Sequence, residues 1–166
     1  MGIDPSRRAS VIAARFSKDF ADTEPQAKEI AARLIQIVAL FEHENKPLFE
    51  QHQIDRGLFS ALVSLRLAGE PYELRHRELM ERMLLTSGGT TNLCRRLIKL
   101  GLLAKHPDPD DARGVYFRLT QQGIDVANDL LPKQHRIEQN LIEILSDDEK
   151  QTLCSLLEKI ARPFNP

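Results

Sequence analysis

The chain has 166 residues, 42% apolar, 28% charged and 5% aromatic, enough to bury a core in one domain and unlike a disordered or fibrous chain. Its 23 lysines and arginines offset 24 aspartates and glutamates, so a formal net charge of −1 marks neither a polyanion binder nor a protein for acidic substrates, and the placement of charge has to decide. No apolar run approaches the roughly 20 residues of a membrane span, and the first ten residues lack a signal-peptide apolar core, which implies a cytoplasmic protein.

Residues 7–20 pattern as a short N-terminal helix around Val11, Ile12, Arg15 and Phe16. The 21 residues between Pro25 and Pro47 contain no proline or glycine, and Ala27, Ile30, Ala31, Leu34, Val38 and Phe41 recur on one face. That 3.6-residue period predicts a long amphipathic helix bounded by the two prolines. Asp55 is placed to cap the next helix, whose Leu58, Phe59, Leu62 and Leu65 form its buried face before Gly69 and Pro71 end it. Residues 75–83 then read as a short helix, 84–87 as a turn with a cap, and 88–100 as a second helix. Leu79, Met83, Leu93, Leu97 and Leu100 face inward, leaving Thr90, Thr91, Asn92, Arg95, Arg96 and Lys99 outward.

Two short extended runs, 102–105 and 115–119, enclose Pro107-Asp108-Pro109-Asp110-Asp111-Ala112-Arg113-Gly114. The prolines deny this loop a helix and Gly114 permits unusual angles at its exit, so a β-hairpin is expected, the only β structure in the chain. Its eight-residue loop is longer than the usual two to five, and long tips persist when they touch something. Thr120 can cap a helix through Ile124, Ala127, Leu130, Leu131, Ile137, Leu141 and Ile144, which Pro132 is expected to kink or break. Ser146 and Glu149 form a capping box for a last helix striped by Leu153, Leu156, Leu157 and Ile160. The terminal helices carry more apolar residues than one thin layer hides, which points to self-association.

A helix, a tight turn, a polar-faced helix and a hairpin describe a winged helix-turn-helix. The expected fold is mainly α with a small β-hairpin wing and N- and C-terminal dimerisation helices. Its segments are 1–54, 55–119 for DNA binding and 120–166, within one compact domain. Residues 75–106 hold seven cations (Arg75, Arg77, Arg82, Arg95, Arg96, Lys99, Lys105) against Glu78 and Glu81, a local +5 inside a remainder of −6. Such segregation is the footprint of a phosphate-backbone partner. Serine, threonine and asparagine bond base edges or phosphates, and arginine reaches guanine bidentately. Gly88 and Gly89 let a helix N-terminus approach a phosphate. Thr86, Ser87, Gly88, Thr90, Thr91, Asn92, Arg95, Arg96 and Lys99 are therefore the candidate DNA contacts.

No nucleophile, histidine and carboxylate set has motif spacing, and Ser87-Gly88-Gly89 fits no phosphate-loop pattern. His43, His52, His76, His106 and His135 form no H-x-x-x-H pair. No enzyme, metal or cofactor is expected. Cys94 and Cys154 have no metal-ligand spacing and read as small buried or half-buried residues rather than redox sensors. The competing function is a winged-helix protein-interaction module without specific DNA binding.

The stretch LLTSGGTTNLCRRLIKLGLLAKHPDPDDARGVYFRLTQQG resembles the recognition helix and wing of the MarR family of bacterial transcriptional regulators. A Ser/Thr-rich helix start, a hydrophobic helix, G-L-(hydrophobic) and a D-P-x-D-x-R-G-V…LT-x-x-G wing match almost continuously from Thr86 to Gly123. Helix order and spacing extend the likeness more weakly from about residue 29 to 160. The resemblance implies a homodimer with interlocked terminal helices on a pseudo-palindromic double-stranded DNA operator, one helix per protomer in the major groove and the wing near the minor groove. It also implies that Asp111 orients Arg113 and that Arg113 reaches the minor groove. Ala112 stands where relatives often carry a second arginine, which weakens the wing's expected affinity.

A repressor of this kind is expected to be released by a small aromatic or anionic ligand. Phe41, His43, Phe59 and Arg66 offer apolar wall and positive charge for it, although Phe41 and Phe59 read equally well as plain core and Arg66 as a solvated arginine. The N-terminal extension resembles that of the urate-responsive subgroup, with Phe16 where that subgroup places tryptophan and Ser60 where it places aspartate. Urate itself is therefore not the expected ligand.

Overall fold

The computed structural model describes residues 11, 14–16, 18, 24–108, 111 and 114–164. The chain divides into two compact units, Met1–Glu44 and Asn45–Pro166, and the division falls inside the first long helix. Helix α1 spans Pro25–Glu50 with Pro47 inside it, so the expected stop at Pro47 is not the helix end. A proline removes its own amide donor and crowds the carbonyl four residues back, yet the last turn still closes beyond it through Gln51 N–H to the Pro47 carbonyl (3.4 Å) and Ile54 N–H to the Phe49 carbonyl (3.1 Å).

In the first unit the described residues among 11–18 are helical, and Lys28 Nζ lies 4.3 Å from the Phe16 ring centroid. The apolar face of α1 is uncovered, with Ile30, Leu34, Ile35, Ile37, Val38 and Leu40 all exposed.

The second unit holds the core. Helix α2 (Arg56–Arg66) starts where Asp55 Oδ1 accepts the Leu58 amide at 2.9 Å, and its Leu58, Phe59, Leu62 and Leu65 are buried as their spacing predicts. Strand β1 (Glu73–Arg75) follows, then α3 (His76–Met83) and α4 (Ser87–Lys99). Strands β2 (Leu103–Pro107) and β3 (Val115–Leu119) form the hairpin. The sheet is therefore three-stranded and antiparallel, in the order β1-β3-β2, with Glu73 opposite Arg118, Leu74 opposite Phe117 and Arg75 opposite Tyr116. A hairpin alone was expected. Strand β1 is too short to show alternation, having one inward position, Leu74. Pro107 is tolerated because β2 is an edge strand.

Helix α5 (Gln121–Ile142) continues through Pro132, so of the expected kink or break the break does not occur. Leu130 before the proline is fully buried, and Leu131 and Ile137 pack on the same core. That packing on both sides outweighs one missing backbone bond. The helix begins against the chain that leaves α4: Thr120 Oγ1 donates to the Gly101 carbonyl at 2.6 Å, and Thr120 N–H donates to the Leu102 carbonyl at 3.2 Å. Helix α6 (Asp147–Ala161) opens on the expected capping box, with Ser146 N–H donating to Glu149 Oε2 at 2.8 Å and Glu149 N–H to Ser146 Oγ at 3.3 Å. No residue of α6 is buried in the chain, and its Leu153, Leu156, Leu157 and Ile160 stripe is exposed. Cys154, expected at least half-buried, is exposed with it. A 3-10 turn, Arg162–Phe164, ends the described chain.

Candidate nucleic-acid interface

The pair α3 and α4 is held from beneath by Leu79, Cys94 and Leu97, each at most 1% exposed, which anchors both helices to the core. Arg75 N–H donates to Glu78 Oε2 at 2.7 Å and opens α3. Its end is a tight reversal in which Leu84 N–H reaches the Glu81 carbonyl and Leu85 N–H the Met80 carbonyl, each at 3.2 Å. Thr86 Oγ1 then accepts the Gly89 amide at 3.2 Å and starts α4.

Thr86, Ser87, Gly88, Thr91, Asn92, Arg95, Arg96 and Lys99 are exposed. Thr90 is not: it is fully buried and its hydroxyl donates to the Thr86 carbonyl at 3.2 Å, so its expected outward placement is corrected. Positions 90, 94 and 97 share one face of a 3.6-residue helix, and that face is the inner one. The polar side chain concealed its place in the pattern.

Not every exposed cation is equally available. Arg96 Nη2 lies 2.6 Å from Asp55 Oδ2 and ties α4 to the cap of α2. Burial pushes the Asp55 carboxyl up, but hydrogen bonds from the Leu58 amide and Arg96, with the arginine's charge, hold it below its ordinary value. Arg77 pairs with Glu81 at 2.9 Å. Arg95 Nη2 donates to Asn92 Oδ1 at 2.7 Å, which orders two outward side chains together. His76 Nε2 and Thr91 Oγ1 are 3.1 Å apart and join the exposed edges of α3 and α4. Among the described residues, no carboxylate pairs with Arg82, Arg95, Lys99 or Lys105. Their positive charge therefore faces outward uncompensated.

At the wing, Asp111 is exposed, while Ala112 and Arg113 lie outside the described residues. A second carboxylate, which sequence reasoning missed, anchors the loop. Asp108 has a side chain only 2% exposed, and Arg75 Nε lies 2.7 Å from its Oδ2. The Arg75 guanidinium also stands 5.3 Å from the Tyr116 ring centroid. Asp108 N–H donates to the Gly114 carbonyl at 3.0 Å and Gly114 N–H to the Asp111 carbonyl at 2.8 Å, so the loop is closed on the start of α3. The available signal was the first aspartate of the wing motif, separated from Arg75 by 33 residues.

On the sheet, Glu73 Oε2 accepts from Arg118 Nε at 2.7 Å and lies 2.9 Å from His106 Nε2. Burial pushes the Glu73 carboxyl up, but the Arg118 and His106 contacts bring it below its ordinary value. His106 stacks on Tyr116 with centroids 5.4 Å apart. These contacts stiffen the base of the wing.

Of the residues expected to meet a ligand, Phe16 lies beneath Lys28, Phe41 is half-buried and His43 exposed in the first unit. In the second unit Phe59 is core, stacked on Phe49 at 4.8 Å. Arg66 is not a freely solvated arginine: its Nε donates to Asn128 Oδ1 at 2.8 Å and its guanidinium stands 4.5 Å from the Tyr72 centroid.

Residues 59–114 match the family model described as MarR family. The chain is 32% identical over 105 residues to the multiple antibiotic resistance protein MarR of Salmonella typhimurium, covering 61% of this chain and 69% of that one. Its fold is similar to that of Sco3205, a MarR family transcriptional regulator from Streptomyces coelicolor solved in complex with DNA (TM-score 0.78, 19% identity, 87% of this chain and 91% of that one). It is also similar to the organohalide-sensing transcriptional regulator RdhR-CbdbA1625 in its 2,4-dichlorophenol-bound form (TM-score 0.75, 21% identity, 86% and 83%). A winged helix-turn-helix with an outward basic helix, and a relative of this identity and coverage, lead to one conclusion: the chain belongs to the MarR family of transcriptional regulators.

Proposed function

We propose that this DNA-binding regulator acts as a homodimeric cytoplasmic repressor on a pseudo-palindromic operator, released by a small aromatic or anionic ligand. The observation that carries the reading is the outer face of α4. Thr91, Asn92, Arg95 and Lys99 stand exposed on a helix whose buried face is fixed by Cys94 and Leu97, which is the geometry for entering a major groove. The exposed N-terminus, Thr86, Ser87 and Gly88, suits a backbone phosphate. Arg96, committed to Asp55, positions α4 and offers its remaining donors to phosphate. Asp111 and Arg113 complete the interface from the wing, which Asp108 and Arg75 brace.

The uncovered apolar stripes of α1 and α6 support dimerisation through segments 1–54 and 120–166, with 55–119 reading DNA. A dimer of this kind would bury more than about 2,000 Å². No helix among the described residues is long and apolar enough to cross a membrane. Release by a ligand is supported by the similarly folded regulator seen with 2,4-dichlorophenol. Phe16, Phe41 and His43 are the side chains proposed to meet the aromatic part of the ligand.

Binding to duplex DNA across a salt series tests the reading. The logarithm of the association constant should fall linearly with the logarithm of salt, by about 0.9 for each phosphate neutralised. Lys99→Ala should reduce that slope by about one unit, and Asn92→Ala should relax preference at one base pair by roughly 1–3 kcal/mol. Failure to retain any duplex at physiological salt would favour the protein-interaction module.

A further inference from the structure

We infer that Leu84, in the turn between α3 and α4, is an apolar operator contact that packs against a thymine methyl or a deoxyribose; this rests on the DNA-binding reading. Leu84 is 88% exposed, the highest value among the exposed large apolar side chains of the described residues. Its backbone is also left-handed, at φ 52° and ψ 41°. Glycine or asparagine takes that conformation at little cost, whereas a branched side chain is strained in it.

Two other non-glycine residues among those described have positive φ, Gln53 and Tyr72. Gln53 exposes only a polar side chain, and Tyr72 packs on the core beneath Arg66. Among the described residues Leu84 alone combines strain with exposed apolar surface, and packing against them returns nothing for either.

The turn fixes where this side chain emerges. The Leu84 and Leu85 amides are bonded to the Glu81 and Met80 carbonyls, so the direction of the Leu84 Cβ is set by the backbone. It leaves the chain two residues before the Thr86 cap, at the end of α4 where Thr86, Ser87 and Gly88 are exposed. An apolar group beside phosphate-seeking amides meets the apolar parts of the same duplex, the 5-methyl of thymine or the carbon face of a sugar. The stripe proposed for dimerisation in this unit is on α6, a different element.

Duplexes selected by the wild-type protein provide the test, with Leu84→Gly, Leu84→Asn and Leu84→Met as variants. The glycine and asparagine variants should melt about 2–4 °C higher, because strain is relieved, yet bind the operator about 5- to 20-fold more weakly. Their salt slope should equal that of wild type, since a lost apolar contact releases no counterion, and Leu84→Met should keep most of the affinity. Uracil placed for thymine one position at a time separates the sources. A loss at one position that Leu84→Gly no longer shows assigns the methyl, and no loss at any position assigns the sugar. Unchanged operator affinity in both Leu84→Gly and Leu84→Asn would overturn the inference, as would weaker self-association of these variants without DNA. A wild-type protein that binds no duplex would instead refute the underlying reading, and the inference with it.

Discussion

Substituting alanine for Gly123 strikes the joint where α5 begins. A Cβ there would sit 2.1 Å from the Leu102 carbonyl oxygen and 3.0 Å from its carbon. Even a weak C–H···O contact needs about 3.3 Å, so the helix start must move by ~1 Å against backbone. The bonds that hold it are Thr120 N–H to Leu102 at 3.2 Å, Thr120 Oγ1 to Gly101 at 2.6 Å and the Gly123 amide to Thr120 Oγ1 at 3.1 Å. With each bond worth about 1 kcal/mol net and the cap about as much again, the expected loss is about 2–4 kcal/mol. For a chain of this size that lowers Tm by about 5–15 °C. Circular dichroism melts at fixed protein concentration measure it, because self-association makes Tm concentration-dependent. A Gly123→Ala melt within about 1 °C of wild type would show that α5 does not start against the Leu102 carbonyl.

Gly88 is the opposite case, since a Cβ there meets nothing within 4 Å. Gly88→Ala should raise Tm by about 2–4 °C through helix propensity while weakening duplex binding in a fluorescence anisotropy titration, because a methyl group intrudes on the phosphate approach. Asp55 has a carboxyl pKa lowered in the folded state, so its contribution is present above the unfolded value of about 3.9 and is lost as pH falls through the lower folded value. The Tm advantage of wild type over Asp55→Asn should therefore shrink steadily below about pH 4, and a constant gap in acid melts would contradict the pairing with Arg96. Burial pushes the Cys94 thiol up to about 12, so alkylating reagents at neutral pH should leave it unmodified until denaturant is added. Peptide mapping that finds Cys94 labelled in the native protein would contradict this.

Much of this molecule was legible in its sequence because its information is local. Asp55, Thr86, Thr120 and Ser146 each accept the amide three residues on, and a cap followed by an apolar period is readable without tertiary knowledge. The parts that escaped depend on distant partners. Strand β1 exists because β3 is there to pair with it. Asp108 becomes a buried anchor only because Arg75 folds over it. Thr90 turns inward because the faces of α4 are set by the core, while its side chain satisfies itself on the Thr86 carbonyl. Pro47 is carried by the backbone bonds of the last turn and Pro132 by the packing of Leu130, Leu131 and Ile137, neither of which a rule about single residues contains. The exposed face of α4 was accordingly legible in the sequence apart from Thr90, while the Asp108–Arg75 brace of the wing was not, because it joins residues far apart in the chain.

Two copies of α4 reading one duplex should leave their symmetry in the sequences they select. Selection from a random double-stranded DNA library, carried out in parallel with wild type and with an Asn92→Ala, Arg95→Ala double variant, tests it most directly. Wild type should enrich inverted half-sites whose centres are about 10–10.5 base pairs apart, one turn of duplex, and the double variant should enrich sequences with relaxed preference within each half-site. Enrichment of no sequence by wild type, or an identical motif from both proteins, would contradict it.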